Sequence, residues 1–325
     1  MAAIARCQRS AVRRLRSTDY SLWTKQMSKR MRVLFLGMGG QFTRIVLGRL
    51  LAAGVDVCGL LLSGPELGPL LPAPPVADTF GLPLLDNFVK SNALHLAWQA
   101  GIPVYESGRL SAPSLTELIR TLAPDVACVA CFDRIIPARL LALPRHGFLN
   151  VHPSRLPHFR GPEPLFWQFR AGVNPVGVTV HWMDAGLDTG DIAAQAPVPL
   201  PDGISGGEAD ALCAETGGDL LAAVVGQLAA GQAKRHPQPV GGSYQTSPTA
   251  DDFTLDTGWD VRRAFNFMRG TAEWRAVYSV QTDGRECRLT EALAWKPGAI
   301  AASGESSGGI ARIGFVDGVL VARGN

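Results

Sequence analysis

Short runs of aliphatic and β-branched residues alternate with longer amphipathic segments through most of the chain. Arg32 to Gly37 and Val55 to Leu62 are short apolar runs, and Thr43 to Ala53 between them has helical spacing. A strand–helix–strand unit of this kind predicts a parallel, doubly wound sheet. The alternation continues to His152, and it predicts helices over Asn87 to Ala100, Ser114 to Leu122 and Pro137 to Leu143 and strands over Pro103 to Tyr105, Asp125 to Ala130 and Gly147 to His152.

The pattern changes after His152. Val178, Val180 and Trp182 share one face of a further strand, and a helix is predicted from Gly207 to Ala230. The next segment is rich in Pro, Gly, Ser, Thr and Gln and has no apolar periodicity, which is typical of a linker. Beyond it, one short amphipathic helix precedes four short apolar runs that are separated by glycine-containing turns. This pattern predicts a small β-barrel.

We therefore predict an α/β protein with two domains. A doubly wound, mostly parallel, Rossmann-like sheet occupies residues 31–231, a linker occupies 232–249, and a small, OB-like β-barrel domain occupies 250–325. Residues 1–30 are a basic extension with eight Lys or Arg against one acid. This extension has the composition of an organelle transit peptide. A start codon assigned too early explains it equally well, because Met31 begins a normal first strand.

Composition and charge exclude several classes of protein. Without residues 1–30 the chain has 23 basic and 27 acidic residues, so contact with nucleic acid requires a local basic patch. The six scattered cysteines fit a reducing compartment, and we interpret Cys128 and Cys131 as strand packing rather than a metal site. No apolar stretch reaches the length of a membrane span. The sequence thus favours a soluble protein, in the cytoplasm or, if the extension is a transit peptide, in the mitochondrial matrix.

The candidate chemistry begins at a strand end, in the segment Asn150-Val-His152-Pro-Ser. Residues two apart project from the same strand face, so Asn150 and His152 both face the crevice above the sheet, where open α/β sheets bind ligands. An amide can stabilise a carbonyl oxygen that gains charge, and an imidazole can stabilise or protonate it. The alternative is a polar strand end that only satisfies loop carbonyls.

A second polar segment follows the next predicted strand. It contains Asp184, Asp188 and Asp191 within eight residues, among glycines. One of these carboxylates could orient His152 and accept a proton, although the others could simply cap turns. We interpret His181, and likewise His146 and His95, as structural or surface residues because they have no partner in their motifs. The cluster Gly37 to Gly40 lacks the third glycine of a dinucleotide fingerprint, so NAD binding is not expected.

These motifs resemble those of the folate-dependent formyltransferases. The matching residues run Asn150-x-His152-Pro-Ser-x-Leu-Pro-x-x-Arg160-Gly-Pro-x-Pro164, followed by Gly186-Leu-Asp188-Thr-Gly190-Asp, and the similarity extends nearly from Met31 to Val321. The resemblance implies the formyltransferase fold, with Asn150, His152 and Asp188 as the catalytic residues. The implied folate-binding residues are Phe132, Asp133, Arg134, Ile135, Ile136, Pro137 and Asp184. The implied substrate-binding residues are Ser154, Arg155, Leu156, Pro157, Arg160 and Gly161.

The resemblance also implies a reaction. A formyl group would pass from 10-formyltetrahydrofolate, a cosubstrate, to an amine without a metal. Within the family, the resemblance favours the members that formylate aminoacylated initiator tRNA. The alternatives are an aminosugar nucleotide as acceptor, a formyltetrahydrofolate hydrolase, and a binding module that has kept only the fold. The oligomeric state stays open, and a monomer is compatible with the sequence.

Three departures from the family pattern bear on the acceptor. The loop from Ser63 to Phe88, a basic insertion in the tRNA enzymes, has no Lys or Arg here. Residues 251–325 have nine basic and ten acidic side chains and lack the family's final strands and basic tail. Arg155 follows Ser154 where the family usually has an apolar residue. Together with Arg160 and Arg170 it lies near the catalytic strand, where these arginines could contact phosphate, contact the folate glutamate, or be ordinary surface residues.

Overall fold

The computed structural model describes residues 31–64, 68–70, 92–282, 284–298, 305–307 and 309–324. The basic extension over residues 1–30 and most of the acidic loop between 63 and 88 lie outside the described residues. In the main domain the strands are β1 (Arg32–Gly37), β2 (Asp56–Ser63), β3 (Gly68–Leu70), β4 (Val104–Ser107), β5 (Val126–Ala130), β6 (Phe148–His152), β7 (Val176–Trp182) and β8 (Ile192–Val198).

These eight strands form one sheet in the order β3-β4-β2-β1-β5-β6-β7-β8. Five neighbouring strands pair in parallel, in the order β4, β2, β1, β5 and β6. The other three, β3, β7 and β8, are antiparallel to their neighbours. The mostly parallel sheet confirms the fold predicted from the sequence. The shift to antiparallel pairing places β7 beside the carboxyl end of β6, with Asn150 opposite His181.

Helices cover both faces of this sheet. They are α1 (Gln41–Ala52), α2 (Ala93–Gln99), α3 (Pro113–Leu122), α4 (Ala138–Leu141), α5 (Pro164–Ala171) and α6 (Gly206–Ala229). Because side chains alternate along a strand, Val33 and Phe35 of β1 pack in the core formed with α1, α2 and α6, and Leu34 packs in the core formed with α3 and α4. Phe148 of β6 lies in that second core. Asn150 and His152, two and four residues farther along β6, therefore project from the same side of the sheet as Phe148.

Two elements near the carboxyl end of β6 were not predicted. Helix α5 begins with a proline in its first turn and spans eight residues, too few for helical periodicity to stand out. Strand β8 has the sequence IAAQAPV, whose small residues show no alternation, and it is fixed by its hydrogen bonds to β7. Tertiary contacts, rather than local pattern, therefore determine both elements.

The C-terminal domain packs a second sheet on helix α7 (Val261–Gly270). Its strands are β9 (Thr254–Leu255), β10 (Tyr278–Thr282), β11 (Arg285–Pro297), β12 (Glu305–Ser307), β13 (Ile310–Phe315) and β14 (Gly318–Gly324). The described pairs run in the order β12-β13-β14-β11-β10-β9, and within the described residues no pair joins the two ends. The second sheet confirms the predicted small β structure at the C-terminal end, and the described strand pairs form an open order of six strands.

An aromatic cluster joins the two domains. Phe166 of α5 contacts the rings of Phe253, Phe267 and Trp274, with ring centroids 5.2 to 5.6 Å apart. Arg170, at the end of α5, donates hydrogen bonds to the carbonyls of Asp252 and Thr254. The C-terminal domain is thus fixed to the helix that follows the polar end of β6.

Candidate active site

The polar residues predicted from the sequence meet at the carboxyl ends of β5 and β6. They line a cavity of 510 Å³. Asn150 and His152 reach it from β6, Asp188 from the loop after β7, and Phe132 to Ile135 from the loop after β5. The structure therefore brings together residues that are up to 56 positions apart in the chain.

His152 is held through one of its ring nitrogens. Its Nε2 lies 2.8 Å from the carbonyl oxygen of Phe159, which can only accept, so Nε2 carries a hydrogen. The other nitrogen, Nδ1, lies 3.8 Å from Oδ2 of Asp188. In the neutral ring Nδ1 is consequently the nitrogen that can take up a proton, and it does so beside a carboxylate.

Asp188 is placed by backbone contacts on both sides. Its own backbone is in the left-handed region, with φ of 54°, and its Oδ2 accepts a hydrogen bond of 2.9 Å from the amide of Gly161. A side chain at Gly161 would collide with the carbonyl of Gln245, and one at Gly190 with the carbonyl of Trp182. These two glycines therefore permit close packing of the backbone next to Asp188, at Gln245 on one side and at Trp182 on the other.

The ionisation of the pair follows from its burial and its contacts. Burial by itself raises the pKa of Asp188, but His152, His181 and the Gly161 amide outweigh burial and hold that pKa well below its usual range. Burial lowers the pKa of His152, and Asp188 offsets this only in part. At neutral pH the pair is therefore a carboxylate beside a neutral imidazole, which is ready to accept a proton.

His181 belongs to this cluster, contrary to the interpretation from sequence. Its Nε2 lies 3.2 Å from Nδ2 of Asn150 and 3.5 Å from Oδ1 of Asp188. The side chain is 1% exposed, on the β7 position directly opposite Asn150. The local motif gives no sign of this, because the contact depends on the antiparallel pairing of β6 with β7.

The predicted folate-binding residues divide into two groups. Phe132, Asp133, Arg134 and Ile135 line the cavity, and the Ile135 side chain is 77% exposed there. Among the other three, Ile136 is buried in the core with α3 and α4, Pro137 caps α4, and Asp184 accepts bonds from Gly186 and Thr189 of its own loop. None of these three lines the cavity.

The two cysteines of the CxxC segment also separate here. Cys128 is fully buried within β5, as strand packing predicts. Cys131 lies just past the end of β5, with φ of 56°, and lines the cavity, so the prediction that both thiols pack on strand faces was wrong for Cys131. Both thiols are free.

The predicted substrate-binding residues are also divided. Gly161 lines the cavity, and Arg155 is exposed. Ser154 and Leu156 are buried, with the Ser154 hydroxyl donating to the carbonyl of His158. Pro157 is likewise buried, and its carbonyl accepts a hydrogen bond from the amide of Ser243.

The arginines near the site are largely engaged in internal contacts. Arg160 donates to Oε1 of Gln238, whose own amide group binds the carbonyls of Asp188 and Gly190. Arg170 binds the two carbonyls described above and lies 5.5 Å from the centre of the Trp259 ring. The linker residue Arg235 stacks on Trp182 at 4.4 Å. These guanidinium groups hold the fold around the site together.

Two further carboxylates line the cavity and were not predicted. Burial raises the pKa of Asp210 to about 6, with Glu163 and Glu273 adding to the effect, and burial also raises the pKa of Glu163. Both residues also line a second cavity of 370 Å³ at the junction with the C-terminal domain, beside Glu273 and Trp274. One wall of the site is thus acidic.

The described residues contain no cluster of three or more His, Cys, Asp or Glu side chains that could hold a metal ion. None of the helices in the described part of the chain combines the length and the apolar character needed to span a bilayer.

Comparisons with known proteins point to one family. The formyl transferase family model matches residues 85–225, which include β6, β7 and the Asp188 loop. A methionyl-tRNA formyltransferase of Symbiobacterium thermophilum is 31% identical over 260 residues, which are 78% of this chain and 74% of that protein. Another, of Geotalea uraniireducens, is 32% identical over 261 residues, 80% and 78% of the two chains.

Among solved structures, an N-formyltransferase from Helicobacter canadensis in complex with folinic acid and dTDP-3-aminofucose is similar at a TM-score of 0.59. It is 16% identical, over 90% of this chain and 99% of that one, so this likeness concerns the fold alone. The motif around Asn150, His152 and Asp188 and the match to relatives over most of their length lead to one conclusion: this chain belongs to the folate-dependent formyltransferase family.

Proposed function

We propose that the protein transfers the formyl group of 10-formyltetrahydrofolate to the amino group of methionyl-tRNA. The observation that carries this proposal is the meeting of Asn150, His152 and Asp188 in one cavity, opposite the loop from Phe132 to Ile135. The two methionyl-tRNA formyltransferases that cover most of this chain support tRNA as the acceptor.

The three residues can divide the chemistry as follows. The acceptor amine attacks the formyl carbon, and Asn150 donates a hydrogen bond to the formyl oxygen as it gains negative charge. Nδ1 of His152 takes the proton that the amine loses, because Nε2 is occupied by the Phe159 carbonyl. Asp188 stabilises the resulting imidazolium. The bond between the formyl carbon and the folate nitrogen then breaks, and that nitrogen takes the proton from His152.

The cavity wall near β5 suits the folate. Met38, Phe42, Phe132 and Ile135 give it an apolar surface on which a flat ring can pack, and Asp133 and Arg134 are the polar side chains beside it. Arg134 is itself held by the carbonyl of Gly108, so the loop has a defined position. We assign the folate to this wall and the acceptor to the side of Gly161.

A second acceptor, the amine of an aminosugar nucleotide, is favoured by one observation. Arg160, Arg170 and Arg235, which could have bound tRNA phosphates, are engaged within the protein. The Helicobacter canadensis relative of the same fold was solved with an aminosugar nucleotide.

The acceptor is decided by a direct assay. Purified protein is incubated with 10-formyltetrahydrofolate and with methionyl-tRNA, with dTDP-aminosugars, or with buffer alone, and products are identified by mass spectrometry. We expect formylmethionyl-tRNA. Formylated sugar with unmodified methionyl-tRNA would replace the first acceptor by the second. Release of formate in buffer at the same rate as in the other arms would indicate a hydrolase.

Residues 31–231 then form the catalytic domain, residues 232–249 a linker that braces the Asp188 loop through Gln238, and residues 250–325 an accessory domain. The enzyme would work in the cytoplasm, or in the mitochondrial matrix if residues 1–30 are a transit peptide. A monomer suffices, since all the proposed catalytic residues come from one chain.

A further inference from the structure

His181 is a buried imidazole that the proposed reaction does not use, and it contacts two of the three proposed catalytic residues. Its Nδ1 lies 2.8 Å from the carbonyl oxygen of Trp182. A carbonyl can only accept, so Nδ1 carries the hydrogen, and in the neutral ring Nε2 is left with a lone pair. In this neutral form Nε2 is an acceptor, and Nδ2 of Asn150 lies 3.2 Å away from it; in the protonated form Nε2 instead donates to Oδ1 of Asp188, 3.5 Å away.

This contact fixes which way the Asn150 amide faces. Nδ2 has two hydrogens, and one of them is donated to His181. The other is left for the cavity that Asn150 lines. If the amide turned over, its oxygen would face the lone pair of His181, which is repulsive, and an oxygen rather than an N–H would be offered to the formyl oxygen. The orientation of the amide decides whether Asn150 stabilises or repels a developing oxyanion.

The surroundings of His181 hold its ring in place, so that its contact with the Asn150 amide has a defined geometry. It lies on β7, between β6 and the edge strand β8, opposite Asn150 in the antiparallel pair of β6 and β7, and it is 1% exposed. Its ring is held at one end by the Trp182 carbonyl and is at right angles to that of His152, with centroids 6.4 Å apart. Asp188 lies 3.5 Å from the same Nε2. If Nε2 gained a proton, it would donate a hydrogen bond to Asp188 and could no longer accept one from Asn150. The neutral ring is therefore the form that orients the amide.

We propose that His181 is a positioning residue for formyl transfer, which holds the Asn150 amide with its free N–H towards the reacting carbonyl. This inference rests on the proposed function. His181 itself need not touch either substrate. It acts through Asn150, and this distinguishes it from a residue that only supports the fold.

A double-mutant cycle measures that dependence. His181→Leu removes the acceptor, and we expect the turnover number to fall by about 10- to 100-fold, less than the loss from Asn150→Ala, since removal of one oxyanion donor costs about 10²- to 10³-fold. In the Asn150→Ala background, His181→Leu should cost several-fold less than in the wild type, because the amide is gone and only the contact of His181 with Asp188 remains. An equal loss in both backgrounds would overturn the proposal.

Two further variants separate positioning from folding. His181→Gln offers a side-chain oxygen as acceptor, and it should recover activity to within about tenfold of the wild type. His146→Leu removes a half-buried histidine outside the site and should leave activity unchanged. Affinity for folinic acid should be the same in all variants. No recovery with glutamine, in a protein that binds folinic acid normally, counts against the proposal.

An NMR measurement tests the hydrogen bond without any turnover. In ¹⁵N-labelled protein, His181 should be neutral with its hydrogen on Nδ1, and the side-chain amide signal of Asn150 should shift when His181 is replaced by leucine. A hydrogen on Nε2, or an Asn150 signal that does not move, would overturn the inference. If the wild type forms no formylated product, the proposed function fails, while this measurement still decides the role of His181 in orienting the amide.

Discussion

Asp188→Asn keeps the size of the side chain and removes its charge. An asparagine oxygen can still accept the Gly161 amide hydrogen, which Asp188 binds at 2.9 Å. What is lost is the stabilisation of His152 when it becomes positively charged. We therefore expect the variant to fold and to bind folinic acid, but to transfer formyl groups very slowly.

The magnitude follows from the distance between the charges. Nδ1 of His152 and Oδ2 of Asp188 are 3.8 Å apart. At an effective dielectric constant of about 20, two unit charges at that distance attract by about 4 kcal/mol. Each 1.4 kcal/mol or so is a factor of about ten in rate, so the predicted loss is about 10³-fold. Losses of about 10⁴-fold for a comparable change in a serine-protease triad give the upper limit.

Asp184→Asn is the matched control. It lies in the same loop, but among the residues that the structure describes its carboxylate binds only Gly186 and Thr189, and it does not line the cavity. We expect a loss of less than about threefold. Single-turnover rates with saturating 10-formyltetrahydrofolate should be compared for both variants, so that binding and product release do not mask the chemical step. Equal losses, or a loss below tenfold for Asp188→Asn, would refute the assignment of the carboxylate.

Three more predictions concern stability, the acceptor and the extension. Asp210→Asn should stabilise the protein at pH 8 by about 1 to 3 kcal/mol and have little effect at pH 4, as measured by urea unfolding. Burial raises the pKa of Asp210 in the folded protein to about 6, above the ordinary 3.8, so ionisation of Asp210 destabilises the folded state as the pH rises through 6. Equal effects of the substitution at pH 8 and at pH 4 would contradict this reasoning. If tRNA binds, replacing Arg155 and Lys234 by glutamine should make the slope of log affinity against log salt shallower by about 1.5, and an unchanged slope would place the RNA elsewhere. Deleting residues 1–30 should leave activity and melting temperature unchanged, because the sheet begins at Arg32, whose amide donates to Asp125 at 3.0 Å; an insoluble or inactive product would show that the extension belongs to the fold.

The sequence determined those features that depend on local period and on short motifs. Alternating apolar runs predicted the parallel sheet because a strand buried on both faces must be apolar throughout. The spacing of two placed Asn150 and His152 on one face of β6. The ordered motifs around them identified the family. In contrast, α5 and β8 were missed, since eight residues and a run of small residues have no distinct period of their own.

Only the tertiary structure decided which distant side chains meet. Three carboxylates follow β7 within eight residues, and without the family resemblance local pattern does not say which one reaches His152. In the structure it is Asp188, whose Oδ2 accepts the Gly161 amide hydrogen and lies 3.8 Å from Nδ1 of His152. His181 looked like an ordinary strand residue, yet antiparallel pairing sets it against Asn150, 31 positions away. The sequence left open whether Arg160 contacts phosphate, contacts the folate glutamate or lies on the surface, and in the structure it donates to Gln238 of the linker. Hydrogen bonds of this kind depend on strand order and register, and these are properties of the folded chain that no local window of sequence contains.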